Sequence, residues 1–459
     1  MLTFVRHPNA NRNGTVLIVA MWIVIVLAGL VLVFGRSMRV EVVASANHVA
    51  ALQADAIAQG ALQFVLSEVD GSDGTYTADP AVCEAVEVGD GFFWILNPSF
   101  DDDRAWYFGI RDESSRINVN TATEDMLLKL PGMTAELAAS IVDWRDADND
   151  ISPGGAENEY YLLLADPYYC KNAAFEAVEE LPLVRGTSAE LLYGEDANRN
   201  GVLDSNENDG IRAAGTAAAD PGDNRDGHLD RGLFDYVTVC SREPNLSSTG
   251  EQRVDVNESN MRALSDILRS AISDDRYFQV MDRVRGGRPF SSIFDFYFKT
   301  GLTSDEFTQI ADRLTTSRDR VLSGRVNVNT APRQVLLCLP GLEESDVDAL
   351  IAHREASDSD VTGIAWAVDV LSREKAVGLG DTVTSRSYQF SADIVAVSGN
   401  GRAFRRYRAV IDAIESPPRV RCWKDLTHLG WPLDPEILTS LRSGEGLSSF
   451  IVSTMAGGR

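Results

Sequence analysis

The chain has 459 residues, enough for a sizeable core and for two or more structural modules. Its 68 acidic residues against 42 basic ones leave a formal net charge of -26. That balance argues against a nucleic-acid partner, because duplex binding depends on Lys and Arg displacing condensed counterions, and it suits solubility and divalent cations.

The first element is a leader from Met1 to Gly14 that carries Arg6 and Arg12 and ends in a small residue. Directly after it, Thr15 to Phe34 is a run of 20 residues without charge, about 30 Å of helix at ~1.5 Å per residue, which is the thickness of a bilayer core. A secretory signal would place its small-residue cleavage site after the apolar run, not before it. Arg36 and Arg39 beyond the run offset the leader's charge, so the positive-inside rule orients the span only weakly. Residues 40 to 68 contain no Pro and only one Gly, at position 60, with Val49, Leu52, Ala56, Gly60 and Phe64 spaced by three or four. This predicts a helix of roughly fifty residues, half in lipid and half amphipathic.

Arg12-Asn13-Gly14 followed by Thr15-Val16-Leu17-Ile18-Val19 resembles a type IV prepilin junction, and the resemblance implies cleavage by prepilin peptidase between Gly14 and Thr15. Most pilins and pseudopilins have Glu as the fifth mature residue; here it is Val19. That departure is similar to general secretion pathway protein K, the minor pseudopilin of type II secretion. In the family the membrane carboxylate answers the terminal amine of the subunit ahead, and an unpaired one is costly in lipid. A subunit at a filament tip has none ahead and can dispense with it.

Past the helix, Phe92 to Leu96 and Trp106 to Ile110 read as strands, the second leading into Arg111-Asp112-Glu113. A second pair, Tyr388 to Val397 and Phe404 to Ile414, flanks Ser398-Gly399-Asn400-Gly401, and Asn-Gly is the strongest short hairpin signal. The expected fold class is α+β: a long transmembrane and amphipathic helix with a pilin-like antiparallel sheet, interrupted by a large, mostly helical insertion. The expected boundaries are leader 1–14, span 15–34, pilin-like helix and first strands 35–111, insertion 112–380, closing strands 381–415, and a tail 416–459 of unknown role. Such an insertion is again similar to protein K.

The insertion contains a repeat. Arg116-Ile117-Asn118-Val119-Asn120-Thr121-Ala122 recurs as Arg325-Val326-Asn327-Val328-Asn329-Thr330-Ala331, and each copy reaches a Leu-Pro-Gly at the same interval, Leu130-Pro131-Gly132 and Leu339-Pro340-Gly341. A third start, Arg253-Val254-Asp255-Val256-Asn257, lacks the Pro-Gly. Thr121 with Glu124 suggests a capping box, and Pro332 suits a first helical turn. Residues 116–146 and 325–355 therefore read as helix-hairpin-helix repeats. Their turns, Pro-Gly-Met-Thr and Pro-Gly-Leu-Glu, lack the usual second glycine, and Glu343, Glu344, Asp346 and Asp348 stand where phosphate would sit. Only Lys129, Arg145, Arg333 and Arg354 offer positive charge nearby, so the repeats read as scaffold.

Asp196 to Glu207 fits the twelve-residue EF-hand loop: side chains of Asp196, Asn198, Asn200, Asp204 and Glu207, the backbone carbonyl of Val202, and Gly201 at the sharp turn. Leu203 takes the usual inward apolar place, and Ser188 to Tyr193 could supply a short entering helix. The alternative is an Asn/Asp-rich linker. Asp220 to Asp230, with Asp223, Asp226 and Asp230, is a weaker calcium candidate without the terminal Glu. The segment 143–157, with Asp143, Asp146, Asp148 and Glu157, resembles a protein K segment, and the resemblance implies calcium in the helical domain; a solvated acidic loop is the alternative. Tyr236 to Asn245 is also protein-K-like, so the resemblance runs from Gly14 to about Asp412.

Five cysteines, Cys83, Cys170, Cys240, Cys338 and Cys422, show no CxxC and no zinc-like spacing. None of the five histidines stands in a catalytic motif, and no P-loop, GxSxG or HExxH occurs. The expectation is a non-enzymatic minor pseudopilin in the inner membrane, its large domain in the periplasm. By resemblance, its partners are other minor pseudopilins, type II secretion inner-membrane components and prepilin peptidase, with no nucleic acid. The rivals are a membrane-anchored DNA-uptake protein using the two hairpins and, more remotely, a calcium-dependent extracytoplasmic hydrolase.

Overall fold

The computed structural model describes residues 13–75, 79–204, 207, 227–356 and 361–447. Met1 to Arg12, Asp223, Asp226 and the end of the tail lie outside them. The first helix, α1 (Asn13–Val69), runs unbroken for 57 residues, as the absence of Pro allows. It is the one helix among the described residues long and apolar enough to cross a membrane.

Beyond the apolar run, α1 packs on the sheet through Ala54, Ile57, Ala58, Ala61, Leu62, Val65 and Val69. Of the face spaced by three or four, Val49 and Leu52 are 61% and 55% exposed and Ala56 and Gly60 also face out, while Phe64 packs against the sheet. This helix is apolar on more than one face, so periodicity cannot choose between stripes. The sheet takes the one with small alanines, which allow close approach.

Six strands form one antiparallel sheet: β1 (Val86–Val88), β2 (Gly91–Leu96), β3 (Arg111–Asp112), β4 (Gln389–Val397), β5 (Phe404–Asp412) and β6 (Arg419–Asp425). The order is β1-β2-β4-β5-β6, with β3 on β4 beyond the end of β2. Ile394 of β4 lies opposite Ile95 on one side and Tyr407 on the other. The Asn-Gly hairpin forms as its residues require, with the Gly401 N–H donating to Ser398 O at 2.8 Å and Gly401 left-handed. The run Trp106–Ile110 is not a strand. β1 takes Gly91–Phe93 on that edge of β2, and the run meets only the far end, where Phe108 bridges Leu96, Gly109 N–H donates to Ile95 O and Asn97 N–H to Tyr107 O. The sheet also continues past residue 415: β6 closes the edge, and Leu433 and Leu441 of the following segment cover Trp94, Leu96, Val395 and Val397 on the face away from α1.

Between β3 and β4 the chain builds three copies of one local design. Two-residue strands pair in parallel: Ile117–Asn118 with Val237–Thr238, Val254–Asp255 with Leu314–Thr315, and Val326–Asn327 with Val383–Thr384. In each, the side chain of Asn118, Asp255 or Asn327 accepts from the N–H two residues on, at 2.9, 2.8 and 3.0 Å. Asn120 then exchanges two hydrogen bonds with the Phe175 backbone, and Asn257 does the same with Phe290. The third start is thus a full copy in its bonding, and differs only in the segment downstream of it. Copies one and three continue as helix, Pro-Gly turn, helix, over Glu124–Leu127 and Ala135–Arg145, and over Arg333–Leu337 and Glu344–Glu355. The first helix is capped by Thr123, whose hydroxyl accepts from the Met126 N–H, not by Thr121. Thr121 is turned back toward the Asn118 carbonyl.

Ion pairs dock this insertion on the sheet. Arg111 of β3 meets Asp235 at 2.7 Å, Asp412 of β5 pairs with Arg242, and Asp112 accepts from Asn327 and Thr330.

Candidate metal centres

The loop after the short helix Ala189–Tyr193, which Ser188 caps, turns its carboxylates inward. Asp196 accepts from the N–H of Asn200 at 3.0 Å and of Gly201 at 2.8 Å. Glu207 accepts from the N–H of Ala197 at 3.0 Å and of Asp204 at 3.1 Å. Asp204 in turn accepts from the side-chain amides of Asn198 at 2.6 Å and Asn200 at 3.2 Å. Asp196, Asn200 and Glu207 are buried. Burial, with Asp235 adding repulsion, pushes Asp196 up to about 6; burial, with Asp196 adding repulsion, pushes Glu207 up to about 7. All five side chains singled out by spacing are therefore brought to one loop, and Val202 is buried beside them. Leu203 is only half-buried, its N–H drawn to Asp103 O.

Gly201 is required twice over. Its φ is 72°, and a Cβ there would overlap Pro98. Arg406 of β5, with no exposed side-chain surface, pairs with Asp393 at 2.8 Å and donates to the carbonyls of Asn198 and Arg199. Arg231 donates to Gly201 O at 2.9 Å. These arginines hold the loop and were not singled out by the sequence. An arginine inside an alternating strand gives no sign of which backbone it will reach.

The second centre lies at the end of the helix Ala135–Arg145. Asp143 is fully buried and accepts from the Ser152 N–H at 3.2 Å. Glu157 is 1% exposed, and neither of its carboxylate oxygens has a hydrogen-bond partner; the Cys170 thiol alongside is a weak donor. Burial raises the Glu157 pKa, and the charges of Asp143 and Asp146 raise it further. Asp148 is exposed and accepts from the Asp150 N–H at 2.9 Å. Of the third candidate only Asp230 is described, and it closes a turn by accepting from the Gly232 N–H. Among the described residues no three His, Cys, Asp or Glu side chains already form a metal-ligand group. An EF-type set draws half its oxygens from amides, carbonyls and water.

At the other end of the molecule, Gly14 and Thr15 lie in the first turns of α1, and Val19 on its exposed apolar surface.

These features define a protein of mixed helix and sheet, with one long apolar N-terminal helix packed on an antiparallel sheet and a large domain inserted between neighbouring strands. Residues 115–193, which hold the first repeat and the second carboxylate centre, match the family model described as type II secretion system (T2SS), protein K. The match spans 79 of the chain's 459 residues. No curated protein matches the chain. A solved structure described as the crystal structure of the GspK-GspI-GspJ complex from enterotoxigenic Escherichia coli type 2 secretion system is similar at 12% identity. It covers 82% of this chain and 96% of that one with a TM-score of 0.40, too low to carry argument.

Proposed function

We propose that this chain is a minor pseudopilin that caps a type II secretion pseudopilus and helps its assembly and the export of proteins across the outer membrane. One observation carries the reading: a protein K domain seated between neighbouring strands of a sheet that α1 anchors. A filament of laterally packed helices has little room for such an insertion except at its end. The chain would act by assembly rather than catalysis, with its large domain in the periplasm, after prepilin peptidase cuts between Gly14 and Thr15. Other minor pseudopilins would be its partners. Co-purification of the full chain from membranes with the other minor pseudopilins of its system tests this; recovery without them in detergent overturns it.

Calcium is the cofactor that the carboxylates fit. At the second centre a buried Glu157 without hydrogen bonds, beside Asp143 and Asp146, lacks a counter-charge that a hard divalent cation would supply. At the loop, Asp196, Asn198, Asn200, Asp204, Glu207 and the Val202 carbonyl would hold the ion, with a structural role. Calorimetry on the full chain, wild type against Asp196→Ala/Glu207→Ala, should show loss of one calcium-binding event. Equal binding by both proteins excludes this loop.

The Pro-Gly units support a helix-hairpin-helix scaffold rather than a DNA grip. Lys129 donates to Leu339 O, Arg145 to the carbonyls of Val119 and Ala122, and Arg354 to Ala331 O, while Arg333 pairs with Asp348. Every cation that phosphate would need is engaged within the chain. A gel shift with duplex DNA should show no complex at physiological salt.

A further inference from the structure

Monomeric surfaces scatter their apolar side chains; large ones gathered together mark contacts. In this insertion they are gathered on one knot of chain. Leu163 is 87% exposed and Tyr169 73%, with Ile151, Tyr160, Leu162 and Leu183 also exposed. The geometry fixes them outward. Tyr161 of the turn Asn158–Tyr161 is wholly buried, its ring 5.2 Å from Trp144 and 5.3 Å from Tyr168, so its neighbours on the opposite side must face solvent. Hydrogen bonds knit the segments together: Tyr168 donates to Leu183 O at 2.7 Å, and Asn158 bridges Asn149 and the Cys170 N–H.

The rim is acidic. Asp148, Asp150, Glu159, Asp166 and Glu176 are exposed, whereas Lys171 is tied to Glu180 at 2.7 Å and Arg185 to Gly155 O at 3.0 Å. An anionic lipid surface would be repelled by such a rim. A second copy of the same surface would set acid against acid. What remains complementary is a different protein.

We propose that residues 151–169 with Leu183 form a docking surface for a protein partner that presents an apolar contact ringed by Lys or Arg. The inference does not depend on how α1 assembles, so the two can fail separately. The test is a photoreactive amino acid placed at Tyr169 in the full-length chain, in cells, with the cross-linked peptide identified by mass spectrometry. The expected result is one peptide with an apolar residue between Lys or Arg. Its capture should fall about tenfold or more with Leu163→Glu, since burying one leucine accounts for that much, and fall again in high salt. Leu163 is so exposed that the variant should melt with wild type. No capture, capture of lipid, of a copy of this chain, or of an acidic peptide overturns the proposal, as does capture indifferent to Leu163→Glu.

Discussion

Gly201 and Gly341 share a left-handed backbone, with φ of 72° and 75°, but not the same surroundings. A Cβ at Gly341 meets open space, so Gly341→Ala should cost only the backbone penalty, about 1–2 kcal/mol. Gly201→Ala should cost more, because Pro98 must move as well. Urea unfolding of the two variants measures the difference, and equal losses would show that Pro98 yields freely. At Glu157 the expectation runs the other way. Glu157→Gln removes a buried charge that has no partner, so in chelator the variant should be the more stable protein. In calcium, wild type should gain more, by up to ~2.7 kcal/mol at a hundredfold excess over the dissociation constant. Thermal unfolding in both conditions reads this out; equal calcium gains would place the ion elsewhere. Of these residues, the gathering of Asp196, Asn198, Asn200, Asp204 and Glu207 on one tight turn was legible, because an EF-type spacing places a glycine at its sharp bend. That Glu157 is buried with so little to offset its charge was not, since it depends on how 143–170 folds over it.

Among elements, the insertion is held to the sheet by charges that acid removes. Asp235, flanked by Arg111, Arg116 and Arg231, and Asp412, flanked by Arg242 and Arg421, are both held at about 2, against an ordinary 3.8. A depressed carboxylate contributes stability that is fully present above the unfolded pKa and lost as pH falls through the folded one. The urea midpoint should therefore fall between pH 4 and pH 2, and Asp412→Asn should flatten that fall. An unchanged slope would mean the pair does not couple folding to pH. Arg406→Met leaves Asp393 with Arg408 alone and frees the carbonyls of Asn198 and Arg199, and should cost about 3–5 kcal/mol in urea unfolding. The long helix, the β4–β5 hairpin and the two Pro-Gly units were legible, each carried by local patterning. The buried face of α1 and the strand β6 were not. Both are decided by what packs against them, and no residue of Arg419–Asp425 is fully buried.

For the whole molecule, N-terminal sequencing of membrane-extracted protein should begin at Thr15; a start near residue 45 would mark an ordinary secretory signal and remove the pseudopilin reading. Val19→Glu should leave the soluble fold unchanged but lower recovery of the chain with other minor pseudopilins, because an unpaired carboxylate in lipid costs about 2.5–3.5 kcal/mol. Unchanged recovery would mean that the missing Glu says nothing about position. The family resemblance implied the insertion in outline, but not that its ends meet: Asp112 leaves the sheet beside Phe390, where the chain returns. That adjacency sets a clock on biogenesis. The hydrogen-bonding edge of β2 must wait for roughly 300 further residues before β4 exists to pair with it. At ~5–20 residues per second of synthesis, the wait is on the order of a quarter of a minute to a minute. Through that interval Phe93, Trp94 and Ile95 have no β4 to cover them. The nascent protein is then an open sheet edge tethered to a membrane, most in need of a chaperone, while its insertion can already fold around a core of its own.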